Sequence, residues 1–450
     1  MTRIAAKFGG TSCADSSQIR KVKAILDSDA RRQVVVVSAP GKRVKTEAKV
    51  TDLLYLCAEM ASMSTDFSAP FSTVRERFVG IERELGVDAG VGRALDAFAE
   101  ELKSGVTADY VASRGEYFNA LIIAEFLGAE FVDPTLTVFI QANGIVDPKS
   151  YTLLGERLAD TSKRYVIPGF YGQGPDGRVK TFSRGGSDIS GAIAARAISA
   201  SVYENWTDVS GLLMTDPRIV ESPEPMVEVT YRELRELSYM GASVLHDEAT
   251  LPVREVGIPI HIKNTNEPTH AGTRIVPSLS DEEYKATAIA GIAGKERFSM
   301  VCVEKSLMNK EVGFAYRLLG IFQRRGISVE HMPSSIDGIN VIVEQDQIEG
   351  QTDDVLAEIR GALSPDKVTL VPDLALIAVV GEGMNHAVGI SARVFASLGR
   401  AGVNVRVINQ GASEVNIIVG VVPADFKKAV QALYGEFIET QRRSVRPPSN

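Results

Sequence analysis

The chain has 450 residues, of which 44% are hydrophobic and 24% charged, as is typical of folded globular domains. Its 49 basic and 57 acidic residues give a net charge of −8, which argues against nonspecific nucleic-acid binding, because such proteins carry a basic excess. Three dispersed cysteines exclude a disulfide framework, and no apolar run approaches the ~20 residues that span a bilayer. We therefore expect a reduced, cytoplasmic protein with no nucleic-acid or membrane partner.

Short apolar runs typical of buried strands alternate with helical patterns over roughly the first 280 residues. The runs are residues 4–8, 34–37, 131–133, 165–167 and 258–263. Helical patterns lie between them, for example at 116–127 and 189–198. Strands that alternate with helices are typical of a mainly parallel sheet covered on both faces. The predicted fold class is therefore α/β.

An internal repeat begins after about residue 285. An offset of 76 residues aligns Val312-Gly313 with Val388-Gly389, and it also aligns Ile342-Val343 with Ile418-Val419. We interpret the repeat as two copies of a small β-α-β-β unit, at 296–372 and 373–446. A polar linker would join them to a first domain at 1–283.

A glycine motif, Lys7-Phe8-Gly9-Gly10-Thr11-Ser12, follows the first apolar run directly. Backbone N–H groups in a glycine turn can approach an anion closely, and a lysine can place its charge on phosphoryl oxygens. The motif matches neither G-x-x-x-x-G-K-[ST] nor G-x-G-x-x-G. A simple strand followed by a glycine turn would have the same residues, so both interpretations remain at this point.

A second glycine motif, Ser183-Arg184-Gly185-Gly186-Ser187-Asp188, opens a helical stretch of small residues. A guanidinium can grip a carboxylate with two hydrogen bonds, and the glycines give close backbone access to a ligand. Asp188 could instead serve only as a helix cap. Trp206-Thr207-Asp208-Val209 and Thr215-Asp216-Pro217-Arg218 follow, and their spacing suggests that they belong to the same cleft.

These motifs, together with Ser113-Arg114-Gly115-Glu116, resemble those of aspartate kinase in the amino-acid kinase superfamily. They occur in the family's order over about residues 1–276, and the C-terminal repeats resemble paired ACT domains. The resemblance implies a three-layer αβα kinase domain with a mainly parallel sheet, followed by two ferredoxin-like ACT domains. It also implies phosphoryl transfer from MgATP to the side-chain carboxylate of L-aspartate, which gives 4-phospho-L-aspartate and begins the aspartate-family amino-acid pathway.

The resemblance assigns roles to individual residues. Lys7 would stabilise charge on the moving phosphoryl group, and Asp188 would hold Lys7. Substrate-binding residues would be Ser38, Thr51, Glu116, Arg184 and Ser187. Nucleotide-binding residues would be Lys7, Gly9, Gly10, Ser12, Thr207, Asp208, Asp216 and Arg218. Mg²⁺ would arrive on the nucleotide phosphates, so no metal ligand is predicted in the chain.

The ACT-like units imply regulation by an amino acid of the lysine or threonine class. Effectors of such units bind where two units meet, which corresponds here to Met308, Gly313, Phe314, Ala315, Ser328, Val329 and Glu330. The same resemblance implies a homodimer or higher homo-oligomer formed through the ACT domains. Units used only for dimerisation would carry the same features.

Two positions depart from the family pattern. Ser243 stands where the family commonly has a nucleotide-contacting lysine, and Leu213 stands where an aromatic residue is usual. The segment between Ser38 and Thr51 is longer than usual and carries Lys42, Arg43, Lys45 and Lys49. We hypothesise that this basic loop supplies the missing positive charge, although a solvated basic loop would have the same sequence.

Two other functions remain open at this stage. An enzyme of the same fold could act on another carboxylate, since Glu116 and Arg184 indicate an α-amino acid without specifying aspartate. Alternatively, the ACT pair could form an amino-acid sensor attached to a silent kinase domain, which Ser243 and Leu213 favour. A hydroxylamine trap of the acyl phosphate separates these functions.

Overall fold

The computed structural model describes residues 2–183, 185–241, 245, 247–280, 282, 284 and 288–439. Arg184, Ser243, His246 and residues 440–446 of the last predicted domain lie outside the described residues. The chain forms two compact units. The first unit comprises Met1–Leu212, Pro225–Tyr231 and Ser243–Ser278, and the second comprises Leu213–Glu224, Arg232–Ala242 and Leu279–Asn450.

The first unit is built on a large sheet. The described strands of the unit are β1 (Ile4–Phe8), β2 (Arg32–Val37), β3 (Glu130–Phe131), β4 (Tyr165–Pro168), β5 (Tyr171–Gln173), β6 (Val179–Thr181), β7 (Val202–Thr207), β8 (Glu228–Thr230), β9 (Ile260–Asn264) and β10 (Thr273–Val276). Eight of them form one sheet in the order β3-β4-β2-β1-β7-β9-β10-β8, and β5 and β6 form a separate hairpin. Neighbours in the large sheet are parallel except β9 and β10. The predicted α/β class with a mainly parallel sheet is confirmed.

Helices cover both faces of this sheet. The helices of this unit are α1 (Ser16–Asp27), α2 (Val50–Ser62), α3 (Ser68–Leu85), α4 (Val91–Ser104), α5 (Ala108–Leu127), α6 (Lys149–Arg157), α7 (Gly186–Ala197) and α9 (Asp247–Arg254). Helix α8 (Tyr231–Tyr239) belongs, apart from Tyr231, to the second unit. Helices α1 to α5 share one core with Ala6 and Phe8 of β1 and with Val35 and Val37 of β2. Helix α7 packs against β1 and β2 and contacts α6 and α9. Because successive strand residues face opposite sides, Lys7 points away from the α1–α5 core.

The second unit contains a five-stranded antiparallel sheet. Its described strands are β11 (Gly291–Glu304), β12 (Gly338–Glu344), β13 (Lys367–Val380), β14 (Val407–Asn409) and β15 (Asn416–Val421), and their order is β12-β11-β13-β15-β14. The helices are α10 (Phe314–Arg324), α11 (Gln345–Ile348), α12 (Thr352–Leu363), α13 (Ile390–Arg400) and α14 (Pro423–Tyr434). Over the residues that the structure describes in the whole chain, no helix is long and apolar enough to cross a membrane.

The repeat seen in the sequence is present in the structure. Helices α10 and α13 occupy equivalent positions at the 76-residue offset, and each follows a glycine in the left-handed region, Gly313 (φ 79°) and Gly389 (φ 90°). Each repeat has its own apolar core. The long strands β11 and β13 run through both repeats, and Ile292 of β11 belongs to the core of the second one. The domain limits 1–283, 296–372 and 373–446 stay predictions.

Candidate active site

The ion pair between Lys7 and Asp188 lies at the carboxyl edge of the central strands. Lys7 is on β1 and is only 7% exposed, and Asp188 lies in the first turn of α7. Lys7 Nζ is 2.5 Å from Asp188 Oδ1. Strand β1 lies between β2 and β7, so the connections after all three strands meet at the same edge of the sheet. Such an edge is where open α/β sheets bind ligands.

Asn205 completes this pair, and it is a residue that the sequence analysis did not identify. It lies on β7 directly opposite Lys7 in the strand register. Its Oδ1 accepts a hydrogen bond from Lys7 Nζ at 3.4 Å, and its Nδ2 donates to Asp188 Oδ1 at 2.9 Å. The available signal was an amide in the middle of a strand just before Trp206-Thr207-Asp208, since a buried amide needs polar partners.

The first glycine motif forms a tight turn after β1. The N–H of Gly9 donates to the carbonyl of Trp206 at 3.0 Å. The carbonyl of Gly10 accepts from the N–H of Gly41 at 2.8 Å, which joins the turn to the next loop. Ser12 is 2% exposed and shares a 2.8 Å hydrogen bond with Thr265, so its hydroxyl is occupied behind the turn.

The loop after β2 lies beside this turn. The N–H of Ser38 donates to the carbonyl of Phe8 at 3.1 Å, and Asn119 Nδ2 donates to the carbonyl of Ser38 at 2.6 Å. Helix α5 approaches the loop closely at Gly115, where an added Cβ would lie 2.9 Å from the Cβ of Ala39. Because Gly115 has no side chain, α5 packs closely on this loop, and its next residue, Glu116, lies beside Ser38 and Ala39 in the cavity.

Glu116 is a buried carboxylate. Burial raises its pKa to about 7, although the backbone N–H of Ala39 donates to it and opposes the rise. Its Oε2 has no hydrogen-bond partner within the described part of the chain. An unpaired buried carboxylate is costly, and a bound cation would relieve it. The site thus offers a place for a positively charged group of a ligand.

The start of α7 carries the second motif. Gly185 caps the helix in the left-handed region (φ 60°), and Gly186 packs on Phe170 so closely that a Cβ would clash with its ring. Ser187 is half-buried against Gly169. This tight packing fixes the helix start that presents Asp188 to Lys7. The position of Arg184 is outside the described residues.

The predicted nucleotide residues divide between the two units. Thr207 and Asp208 belong to the first unit, and the hydroxyl of Thr207 donates to Asp208 at 3.2 Å. Asp216 and Arg218 belong to the second unit, as does Leu213. The side chain of Arg218 donates from Nε to both carboxylate oxygens of Asp216 at 3.0 Å and from Nη2 to Oδ2 at 2.6 Å, and it lowers the pKa of that carboxyl.

One cavity of about 540 Å³ collects most of the site residues of the first unit. Its lining comprises Lys7, Gly9, Gly10, Thr11, Ser38, Ala39, Pro40, Gly41, Lys42, Lys49, Thr51, Glu116, Asp188, Asn205, Thr207 and Ile262. It therefore brings together residues that the resemblance assigns to phosphate, substrate and catalysis. Among the described residues, no group of three or more His, Cys, Asp or Glu side chains could hold a metal ion.

The basic loop splits into two groups. Lys42 and Lys49 line the cavity, whereas Arg43 is hydrogen-bonded to Glu47 and Lys45 is exposed away from it. Of the four basic residues of the loop, only Lys42 and Lys49 can therefore supply positive charge to this cavity. One of them, Lys49, immediately precedes α2 and occupies its N-cap position without a side-chain capping hydrogen bond.

The predicted effector residues flank α10 along the chain: Met308 and Gly313 precede the helix, Phe314 and Ala315 begin it, and Ser328, Val329 and Glu330 follow it. Met308 and Phe314 are buried in the core of the first repeat, so their side chains are occupied by packing. Ala315 and Val329 pack against the same core, and the N–H of Ser328 donates to Gln347 Oε1 at 2.6 Å. Burial and the neighbouring Glu344 raise the pKa of Glu330. That these residues form one effector site stays a prediction.

Comparison with known proteins gives concordant matches. The amino acid kinase family matches residues 2–264, and an ACT domain family matches residues 377–437. The chain is 42% identical over 447 residues to aspartokinase 3 of Bacillus subtilis (strain 168), which covers 96% of this chain and 98% of the relative. It is 30% identical to the chloroplastic aspartokinase 1 of Arabidopsis thaliana, covering 96% of this chain and 80% of the relative.

Solved structures give the same match. The aspartate kinase of Clostridium acetobutylicum has a TM-score of 0.89 at 45% identity, covering 97% of this chain and 100% of that chain. Aspartokinase III of E. coli in complex with aspartate and ADP, in the R-state, has a TM-score of 0.72 at 26% identity, covering 96% and 99% of the two chains. Its T-state complex with lysine and aspartate has a TM-score of 0.71 at 26% identity, covering 97% and 99%.

Proposed function

The chain belongs to the amino acid kinase family, and we infer that it is an aspartate kinase, which transfers the γ-phosphoryl group of ATP to the side-chain carboxylate of L-aspartate. The observation that carries this inference is the single cavity in which the Lys7–Asp188 pair and the buried Glu116 lie together. The pair suits an anion in transfer, and Glu116 suits the ammonium group of an amino acid.

The nucleophile is the carboxylate of the substrate itself. One of its oxygens attacks the γ-phosphorus, the bond from that phosphorus to the β–γ bridging oxygen breaks, and 4-phospho-L-aspartate and ADP are formed. The nucleophile is already ionised at neutral pH, so catalysis consists mainly of aligning two anions and offsetting their repulsion. Lys7 supplies positive charge at the phosphoryl group, while Asp188 and Asn205 fix its ammonium.

Substrate recognition follows from the charges around the cavity. Glu116 binds the ammonium of aspartate, which restores a partner to its buried carboxylate. Ser38 and Thr51 line the same cavity and offer hydroxyl groups to the substrate, and Ser187 lies at the nearby start of α7. By family resemblance, Arg184 pairs with the α-carboxylate of aspartate.

The nucleotide phosphates bind along the glycine turn. Gly9 and Gly10 line the cavity next to Lys7, and Thr207 lines it from β7. Mg²⁺ would accompany the nucleotide, and when bound it would supply charge neutralisation on the phosphates. Ser12, Asp208, Asp216 and Arg218 keep the nucleotide roles that the family resemblance gives them.

A coupled assay of ADP release tests this function. With MgATP, we expect turnover with L-aspartate and none with L-glutamate or N-acetyl-L-glutamate. Turnover only with another carboxylate would show that this enzyme acts on a different substrate. No turnover with any amino acid would favour an amino-acid sensor.

The second unit supports a regulatory role. The effector is an amino acid of the lysine or threonine class, bound near Gly313 and Glu330 of the first repeat. By the family resemblance, the chain forms a homodimer or larger homo-oligomer through its ACT-like units. Titration of the assay with lysine, threonine and methionine tests the first proposal, and light scattering tests the second.

The reaction begins the biosynthesis of the aspartate family of amino acids. We place it in the cytoplasm, because the composition is that of a globular protein with three unpaired cysteines. Fractionation of cells that express a tagged chain tests this location.

A further inference from the structure

Arg77 of α3 lies behind the active-site cavity and is buried, with a side chain 7% exposed. Its Nη1 donates to Glu47 Oε1 at 2.5 Å. Its Nη2 donates to the carbonyls of Ala14 and Gly41 at 2.8 Å and 2.6 Å. One guanidinium therefore joins the segment after the glycine turn to both ends of the loop that carries Lys42 and Lys49.

Gly41, which is bound by Arg77, also contacts the glycine turn. Its N–H donates to the carbonyl of Gly10 at 2.8 Å. The two backbones are so close that a Cβ on Gly41 would lie 2.5 Å from the carbonyl carbon of Gly10. Arg77, Gly41 and Gly10 thus form a continuous connection from α3 to the cavity wall. Arg77 itself does not line that cavity.

The contacts of Arg77 also determine which charged residues of this loop are paired with one another. Glu47, the carboxylate of the loop, is bound by Arg43 and Arg77, and these two guanidinium groups lower its pKa to about 2. Lys42 and Lys49 form no ion pair with any carboxylate in the part of the chain that the structure describes. Lys7, the third lysine of the cavity, is held in an ion pair by Asp188.

We propose that Lys42 and Lys49 bind the phosphates of the nucleotide, and that Arg77 is a positioning residue that holds their loop against the glycine turn. This proposal rests on the kinase function proposed above. It extends that function by assigning two binding residues and one positioning residue outside the family motifs. In this proposal the two lysines replace the charge of the lysine that the family commonly has where Ser243 stands in this sequence.

The surroundings of the two lysines favour phosphate as their ligand. Lys42 follows Gly41, which contacts the glycine turn, and Lys49 precedes the first turn of α2. Both lysines line the cavity together with Gly9 and Gly10 of the glycine turn. Because the chain carries a net charge of −8, long-range attraction does not draw ATP in, and local cations are required.

Steady-state kinetics and ADP binding by isothermal titration calorimetry test the lysines in the full-length protein. For Lys42→Ala/Lys49→Ala we expect the KM for ATP and the Kd for ADP to rise about tenfold or more, because charge-assisted hydrogen bonds are lost. The KM for aspartate should change less than about twofold. Lys45→Ala is the matched control, since it removes the same charge from the same loop away from the cavity. An unchanged KM for ATP, or a rise confined to aspartate, overturns the assignment.

A double-mutant cycle tests the positioning role. Arg77→Met should raise the KM for ATP about three- to tenfold in the native background and less than about twofold in the Lys42→Ala/Lys49→Ala background. Arg77→Lys should restore part of the loss. If Arg77→Met does not fold, Glu47→Gln, which weakens the same tether at a more exposed side chain, replaces it in the cycle. Equal effects in both backgrounds contradict the proposal.

The two proposals fail in distinguishable ways. If the native protein releases no ADP with aspartate, the proposed function fails, but calorimetry with ADP still reports whether the lysines bind phosphate. If the native protein turns over aspartate and the lysine variants bind ADP normally, the kinase function stands and this proposal fails.

Discussion

The carboxylate of Asp188 lies 2.5 Å from the ammonium of Lys7, and this ion pair ties the central strand of the sheet to the first turn of α7. Both side chains are mostly buried, with exposed fractions of 9% for Lys7 and 17% for Asp188. A pair in such surroundings holds its geometry better than an exposed pair, so the lysine is fixed where a phosphoryl group would be transferred.

Removal of either partner should abolish most of the activity. Lys7→Met removes the charge that meets the phosphoryl group, and we expect kcat to fall by about 10²–10³. Asp188→Asn keeps the shape and lets Lys7 move, and we expect a fall of about 10². The assay is ADP release at saturating substrates. Far-UV circular dichroism confirms that each variant is folded, and a folded Lys7→Met variant with near-native kcat would refute the role of Lys7.

Asn205 should also contribute to catalysis, because it holds both Lys7 and Asp188 in place. Asn205→Leu removes an acceptor from Lys7 and a donor from Asp188 at nearly constant volume. We expect kcat to fall about tenfold, because each net hydrogen bond contributes on the order of 1 kcal/mol. The KM values for aspartate and ATP should stay within about twofold, since Asn205 acts through Lys7. A change in KM with unaltered kcat would show that Asn205 contacts a substrate instead.

The raised pKa of Glu116 predicts a pH dependence. Only the ionised carboxylate pairs with the ammonium of aspartate, and its pKa in the free protein is about 7. The kcat/KM for aspartate should therefore rise between about pH 6 and pH 8 and then level off. Glu116→Gln should remove that step and lower kcat/KM at pH 8 by about 10² or more. A pH step that persists in Glu116→Gln would assign it to another group.

The same carboxylate should destabilise the free protein at neutral pH. Its pKa rises from 4.5 to about 7 on folding, so the folded chain binds the proton more tightly, and stability is lost as pH increases through this window. The loss is on the order of 3 kcal/mol. Glu116→Gln should therefore unfold at a higher temperature than the native protein at pH 8, and the difference should shrink at pH 5. Saturating aspartate should narrow the difference at pH 8.

Gly41→Ala should disrupt the site by a steric clash, without removing any functional group. Its Cβ would lie 2.5 Å from the carbonyl carbon of Gly10, so the turn and the loop must separate. We expect a fall of at least tenfold in kcat/KM for ATP. Gly80→Ala on α3 is the matched control, because an added Cβ meets no atom within 4 Å there. That control should keep full activity and gain about 0.5–1 kcal/mol of stability.

The apolar runs in the sequence identify five of the eight strands of the large sheet, because burial is visible in their composition, whereas β7, β8 and β10 are not among them. Residues 34–37 lie within β2 and residues 165–167 within β4, and both segments are buried as predicted. Strand 258–263 is displaced by about two residues, to β9. Helix 116–127 is only the second part of α5, which begins at Ala108. Local patterns indicate burial, whereas helix starts depend on caps such as Thr107 that resemble ordinary loop residues.

The contacts between residues that are far apart in the sequence were less predictable. Nothing in the pattern showed that Asn205 faces Lys7, because strand neighbours are chosen by the sheet order and not by local composition. Residues 213–224, which the sequence analysis placed in the first domain, are grouped with the second unit. Within that unit Val220 joins the core of the second repeat, and the N–H of Glu224 donates to Tyr434 at 2.8 Å. Contacts over such separations are set by tertiary packing alone.

Trapping of the acyl phosphate with hydroxylamine tests the central claim most directly. The protein is incubated with MgATP, L-aspartate and hydroxylamine, and the product is identified by mass spectrometry against both hydroxamate isomers. We expect the side-chain hydroxamate of aspartate in amounts equal to the ADP released, and no hydroxamate from glutamate. ADP release without a hydroxamate, or a hydroxamate at the α-carboxylate, would contradict it.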